Sequence, residues 1–291
     1  MRSLPPATTF GCMTKMTCLS GRGVIEVSGE DRVAFLQGIV SNDVTGVAPG
    51  RAVWAALLSA QGKWLADFFI FDAGESLWID AERAQLPMLL PKLSRFRLRA
   101  RVIVTERPEV SVNAAWDGTP AVPDGAVAAP DPRLAEAGWR ILSAAESPGN
   151  ATEQEWDRHR LALGLPDGSR DMVTDKTLLL EAGFDELHGV SWSKGCYMGQ
   201  ELTARTRYRG LIKRRLVPVI IDGPTPPPGA PVSRDGADVG TMRSGAGGAG
   251  LATLQLDAFG GPLVCGDARL SVRIPAWFAL PKAAEKVQAT T

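Results

Sequence analysis

The sequence predicts an α+β chain of two or three domains, closed at its C-terminal end by a small β-barrel, and three observations carry that expectation. At 291 residues the chain exceeds the ~250 residues at which a single core usually stops growing. Its apolar runs, such as VWAALLS and LADFFIF, are strand-sized and alternate with a few capped helical segments. From Asp222 to Pro231 proline and glycine dominate, and beyond that break the chain holds only short strands and turns.

Element by element, GVIEV (Gly23 to Val27) reads as a strand. Ser28 and Asp31 then cap a helix that places Val33, Leu36 and Val40 on one face and ends at Asn42 and Asp43. VWAALLS and WLADFFIF are strands joined by AQGK, whose Gly62 suits a hairpin loop, and SLWID is a third. Glu82 to Leu93 resembles a helix interrupted by Pro87 and Pro91, and RFRLRARVIV alternates as a half-buried strand does. Asp117 to Arg133, rich in Pro, Ala, Gly and Asp, reads as a loop. Thr152 and Glu155 form a capping box for a helix carrying Trp156 and Leu163, stopped by Gly164 and Pro166. The residues from Ala283 onward read as a frayed tail.

Lys plus Arg and Asp plus Glu each total 32, so no global field draws the chain to nucleic acid or to an anionic membrane. No apolar run approaches the ~18 residues of a membrane span, and a soluble protein is expected. Cys12, Cys18, Cys196 and Cys265 are scattered without a C-x-x-C pair, which speaks against a zinc knuckle or a disulfide framework and fits a reducing compartment. The first fifteen residues carry Arg2 and Lys15 but no acid and no long apolar segment. They make a poor secretory signal and a weak transit peptide, and favour Met16 as the working start.

GAGGAG, Gly245 to Gly250, has the spacing of a dinucleotide loop but leads into the strand-like LATLQL, so a β-turn is expected. With only His159 and His188 present, histidine-rich metal sites and most catalytic triads lack support. The richest chemistry lies in KGCYMGQE, residues 194–201. Cys196 stands between two glycines and beside Lys194, an environment that favours a thiolate, although a small buried packing residue is the alternative. Arg95, Arg97, Arg99 and Arg101 would share one strand face, either solvated or an anion-binding wall. A second cluster, Arg205, Arg207, Arg209, Lys213, Arg214 and Arg215, follows the cysteine motif and suits a polyanionic ligand. Glu181 follows three leucines, where a carboxylate needs a partner. A salt bridge or the adjacent N–H groups of a pterin edge would serve.

At these residues the chain resembles the YgfZ/GcvT family, the folate-binding relatives of the glycine-cleavage aminomethyltransferase. KGCYMGQELTAR with YRGLIKRRL is similar to the signature of the YgfZ branch. FLQGIVSNDV, AQGKWLADFFIF, RHRLALGLP and LLLEAGFDELHGVSW resemble family segments in the family's order, from Met16 to about Phe278. The resemblance implies a three-domain aminomethyltransferase-like cloverleaf around a folate cavity. Its parts would be a discontinuous folate-binding domain (16–50 with 142–215), an inserted ferredoxin-like α+β domain (51–141) and a C-terminal β-barrel (216–282). It implies tetrahydrofolate or a folate derivative as cofactor, held by Glu181 at the pterin and bordered by Trp192, Lys194, Tyr197, Gln200, Arg205, Arg207 and Arg209.

Cys196 and Asp67 are the implied catalytic residues, and no resident metal is expected. Asp67 falls where aminomethyltransferases carry two adjacent acids. Here the pair is Ala66 and Asp67, which puts aminomethyl transfer in question. The implied role is a maturation factor for iron-sulfur clusters, with cluster assembly proteins and client enzymes as partners. A folate-dependent one-carbon transferase and a tRNA-binding accessory are the alternatives. The implied compartment is the cytoplasm, or the mitochondrial matrix for a eukaryotic source.

Overall fold

The computed structural model describes residues 13–144, 149–210 and 212–279. Cys12 and the residues from Ala283 onward lie outside them. In chain order the elements are β1 (Lys15–Cys18), β2 (Arg22–Ser28), α1 (Arg32–Gln37), β3 (Val53–Leu58), β4 (Trp64–Asp72), β5 (Ser76–Glu82), α2 (Leu86–Phe96) and β6 (Ile103–Glu106). There follow β7 (Ser111–Trp116), β8 (Val127–Pro130), β9 (Trp139–Ser143), α3 (Glu153–Leu163), α4 (Gly168–Asp171) and α5 (Gln200–Arg209). The last are β10 (Arg214–Asp222), β11 (Pro231–Arg234), β12 (Ala237–Ala246), β13 (Ala249–Gln255), β14 (Leu263–Cys265) and β15 (Ala268–Val272).

An antiparallel five-stranded sheet, β3-β4-β5-β2-β6, is the central layer. Side chains alternate along a strand, so one face of β4 turns Ala66, Phe68 and Ile70 onto Leu36 of α1 and Leu86, Leu89 and Leu93 of α2. The opposite face turns Phe69 and Phe71, joined by Trp64 through a register shift at Leu65, onto a four-stranded sheet, β1-β7-β9-β8, where Val112, Ala114, Trp116 and Leu142 meet them. Burial on both faces explains why β3 and β4 are almost uninterrupted apolar runs.

The strands β10 to β15 close a barrel in the order β10-β13-β12-β11-β14-β15. Gly247 and Gly248, both at positive φ, form the two-residue turn between β12 and β13, as the hairpin reading of GAGGAG anticipates. Arg160 of α3 fastens the barrel to the rest. It donates to Asp171 at 2.8 Å and to Ser244 Oγ of β12 at 3.0 Å.

The capping box at Thr152 and Glu155 forms as expected: Glu155 N–H donates to Thr152 Oγ1, and Thr152 N–H donates to Glu155 Oε2 at 2.9 Å. Several expectations change. RFRLRARVIV is not a strand, because Leu86, Leu89 and Leu93 supply a helical apolar face that carries α2 through Phe96. Leu98 then turns at φ 48°, and only Ile103–Glu106 pairs, with β2. Arg95 to Arg101 therefore form no shared wall.

α1 stops at Gln37, before Asn42, and Asp117 to Arg133 contains β8. The expected boundaries at 50/51 and 141/142 cut through both sheets, since β2 pairs with β5 along its length and β9 pairs with β7. Local composition marks loops, but it does not say which distant strands share a sheet.

Candidate functional site

The cysteine motif is a loop pinned on both sides. Asn42 Nδ2 donates to Trp54 O at 2.8 Å and to His188 O at 2.6 Å, while Ser41 Oγ donates to Gly189 O at 2.7 Å. The segment entering the motif thus lies along the connector between α1 and β3. Lys194 Nζ extends this seam by donating to Val40 O and Asn42 O, both at 2.6 Å.

Burial pulls the Lys194 ammonium down to about 8, against the opposing pull of Asp43. This corrects the expected role of Lys194. Two of its three donors go to backbone carbonyls, and among the described residues no hydrogen bond or ion pair joins it to Cys196. It anchors the loop.

Beyond the thiol, Tyr197 is buried, and that burial pushes its phenol up to about 12. Its N–H donates to Gln200 Oε1 at 3.2 Å, closing the turn that starts α5. Gly199, at φ +82°, rests against the β3–β4 hairpin, where an added Cβ would lie 2.6 Å from Ser59 O. Between the two anchors Cys196 is exposed, which replaces the buried-packing alternative, and Gly195 faces open space.

The basic cluster divides. Arg207 lies 4.0 Å over Trp192, whose indole N–H donates to Asp185 Oδ1 at 2.7 Å. Arg215 is buried and pairs with Glu186 at 2.7 Å. Arg214 Nε meets Glu181 Oε1 at 3.1 Å, and Leu178 N–H donates to the other Glu181 oxygen at 3.2 Å. The partner that Glu181 requires is therefore a salt bridge.

One cavity borders this acid and a second borders its neighbour Leu180. One, of about 670 Å³, is lined by Glu181, Lys213, Arg214, Gln255, Leu256 and Asp257. The other, of about 620 Å³, is lined by Asp185, Glu186, Arg207, Tyr208 and Arg215 among others. Of the residues expected to border a cofactor, Glu181 and Arg207 border these cavities. Trp192, Lys194, Tyr197, Gln200, Arg205 and Arg209 border neither: Lys194, Tyr197 and Gln200 are used in holding the loop, and Arg205 and Arg209 face solvent.

Asp67 lies elsewhere, between the two sheets and 2% exposed. Trp54 Nε1–H donates to its Oδ2 at 2.9 Å, and among the described residues its Oδ1 has no hydrogen-bond partner. Around it lies a charged cluster that sequence reading missed. Arg22 pairs with Asp80 at 2.5 Å, Arg140 with Asp80 at 3.2 Å, and Arg133 with Asp131 at 2.8 Å. Arg22, Arg133 and Arg140 all lie within 5.7 Å of the Phe69 ring centre. The available signal was a lone arginine inside an apolar strand, as in WRILS. At 2% exposure Asp67 presents no open carboxylate to a substrate, so substrate chemistry there would require this cluster to open.

Burial raises the Asp67 carboxyl to about 6, so the folded chain holds a proton that the unfolded chain releases near 3.8. Stability on this account falls as pH rises from about 4 to about 6. Asp67→Asn keeps an acceptor for Trp54 and is expected to raise stability by about 1–3 kcal/mol at pH 8, with little change at pH 4. Urea unfolding of both proteins at the two pH values checks it, and an equal shift at both would show that the Asp67 carboxyl titrates alike in the folded and unfolded chains, so that burial does not raise it.

Residues 213–280 match the family model described as the CAF17 C-terminal beta-barrel domain. The chain is 34% identical over 288 residues to the mitochondrial iron-sulfur cluster assembly factor IBA57 of Mus musculus, with 85% of this chain and 80% of that relative covered. To the Homo sapiens protein of the same name it is 33% identical, over 89% of this chain and 84% of the relative. Among solved structures, the glycine cleavage system aminomethyltransferase T from Bartonella henselae superposes with a TM-score of 0.73 at 17% identity, covering 91% of this chain and 86% of that one. The fold is that of the aminomethyltransferase, as the sequence resemblance implies.

Proposed function

Because this chain belongs to the family of the iron-sulfur cluster assembly factor IBA57, we propose that it acts in iron-sulfur cluster assembly and that Cys196 is the thiol that meets the cluster. The observation that carries this reading is an exposed thiol on a loop pinned by Lys194 on one side and Gly199 on the other. Among the described residues no three His, Cys, Asp or Glu side chains converge to hold a metal ion. One thiolate supplies a quarter of the usual ligand set, so a cluster at Cys196 takes its other ligands from a partner protein.

Cluster assembly proteins and client enzymes are then the partners. Where the source is eukaryotic the place of work is the mitochondrion, as in the relatives' names. No described helix is long and apolar enough to cross a membrane. In cells lacking the gene, iron-sulfur enzyme activities are expected to fall, and a Cys196→Ala copy is expected not to restore them. Full rescue by that copy would overturn the role of the thiol.

The residues beside Glu181 fit a folate-class ligand. A carboxylate there can accept from the adjacent N–H groups of a pterin, and Lys213 and Arg214, in the same cavity, supply cations for a glutamyl tail. Glu181 would first exchange its bond to Arg214, whose side chain is 52% exposed and free to swing outward. When bound, such a ligand supplies one-carbon or redox chemistry, and this chain's part is to hold and orient it. Titration of tetrahydrofolate is expected to show affinity weakened about tenfold or more in Glu181→Ala, the size of a lost charge-assisted pair. Unchanged affinity would place the ligand elsewhere. The burial of Asp67 between the sheets, at 2% exposure, speaks against aminomethyl transfer by that acid.

A further inference from the structure

α5 turns two unlike sides to its surroundings. Thr203 and Thr206 are buried against the body of the protein, and Arg207 leans back over Trp192. On the other side Arg205, Tyr208 and Arg209 share a face through spacings of three and four residues. Tyr208 is 80% exposed. Neither Arg205 nor Arg209 has an ion-pair partner among the described residues, whereas Arg207, Arg214 and Arg215 each have a carboxylate. An unpaired guanidinium fork on a helix is a bidentate site for a carboxylate. Glu201 lies one turn earlier on that side, so the positive charge gathers at the end of the helix away from the thiol.

This face continues directly from the loop that presents Cys196, four residues before α5 begins. The helix is about 15 Å long. A standard interface of ~800 Å² per partner spans about 30 Å, so one partner can cover the thiol and the basic face together.

We propose that the Arg205, Tyr208 and Arg209 face of α5 docks an acidic surface of the protein whose cluster meets Cys196, an inference that rests on the thiol role assigned above. Tyrosine and arginine are the residue types that carry interface energy. RNA is the poorer occupant. Non-specific RNA affinity comes from about 6–10 phosphate contacts, each contributing roughly 0.7–0.9 to the salt slope, whereas this face offers two free cations on a chain of zero net charge.

Three full-length variants returned to cells lacking the gene test the proposal: Arg205→Glu/Arg209→Glu, Arg205→Lys/Arg209→Lys and Cys196→Ala. Charge reversal is expected to restore iron-sulfur enzyme activity about tenfold less well than the unaltered chain, with the same melting midpoint and the same rate of Cys196 alkylation. The lysine pair is expected to restore most of it. A photo-crosslinking residue at Tyr208 should yield a protein conjugate whose joined peptide is rich in Asp and Glu, and the conjugate should vanish on charge reversal.

Full rescue by the reversed variant alongside failure of Cys196→Ala would overturn the docking face and leave the thiol assignment standing. Full rescue by Cys196→Ala would overturn that assignment instead. A crosslink to RNA, or to a peptide without acids, would also overturn the proposal.

Discussion

Asp80→Ala is expected to lower stability by about 3–5 kcal/mol, the cost of leaving buried charges without their partner. Asp80 is fully buried on β5 and holds two guanidinium groups at once, Arg22 at 2.5 Å and Arg140 at 3.2 Å, while Arg22 also donates to the Asp80 carbonyl. Removing the carboxylate leaves Arg140 with Asp131 at 3.8 Å and Arg22 with Asp167 at 3.5 Å, both longer contacts. The cations do not readily retreat to water, because Arg140 on β9 and Arg22 at the start of β2 are held by strand pairing and are both nearly fully buried.

Pairing Asp80→Ala with Arg140→Met removes one stranded charge together with its partner and returns apolar volume beside Phe69, so the double variant should be more stable than Asp80→Ala alone. Urea midpoints of the single and double variants decide it. A single variant within about 1 kcal/mol of the unaltered protein would mean that the cluster is solvated and does not bear on the fold.

That cluster also shows where reading the sequence stops. The capping box at Thr152, the hairpin at Gly62 and the turn at Gly247 were legible because each is encoded within a few residues. Sheet membership was not, since β1 finds β7 about a hundred residues away, and nothing local says so. Strict alternation in RFRLRARVIV suggests a strand, whereas the helix expected over Glu82 to Leu93 runs on into it as far as Phe96. Tertiary burial of Leu86, Leu89 and Leu93 decided the matter.

At the site, Cys196 and its glycines were legible, as was the need of Glu181 for a partner. Lys194 was misread, for its acceptors Val40 O and Asn42 O lie more than 150 residues upstream. Adjacency in sequence to a cysteine says little about where a long, flexible side chain sends its ammonium.

Gly199→Ala is expected to be the most damaging single-methyl change in the motif. Gly199 sits at φ +82°, a conformation that costs an L-residue about 1–2 kcal/mol. Its added Cβ would also lie 2.6 Å from Ser59 O, 2.9 Å from Leu58 Cβ and 3.0 Å from Gly62 Cα. Ser59 O and Gly62 Cα belong to the backbone of the β3–β4 hairpin and cannot rotate away, so overpacking adds about 1–3 kcal/mol.

Gly62 faces Gly199 in the same contact, since its own Cβ would lie 2.6 Å from Gly199 O. Two glycines on opposite segments thus set how closely the cysteine loop approaches the hairpin. Gly195→Ala is the matched control. It shares the positive φ, at +92°, but faces nothing within 4 Å, so it should incur the conformational cost alone.

The Gly199 variant is then expected to lower the melting midpoint more than the Gly195 variant, and to speed hydrogen exchange across residues 194–204. It is expected to restore iron-sulfur enzyme activity no better than Cys196→Ala. Equal losses in the two variants would show that backbone strain, and not the seat on the hairpin, governs how the thiol is presented.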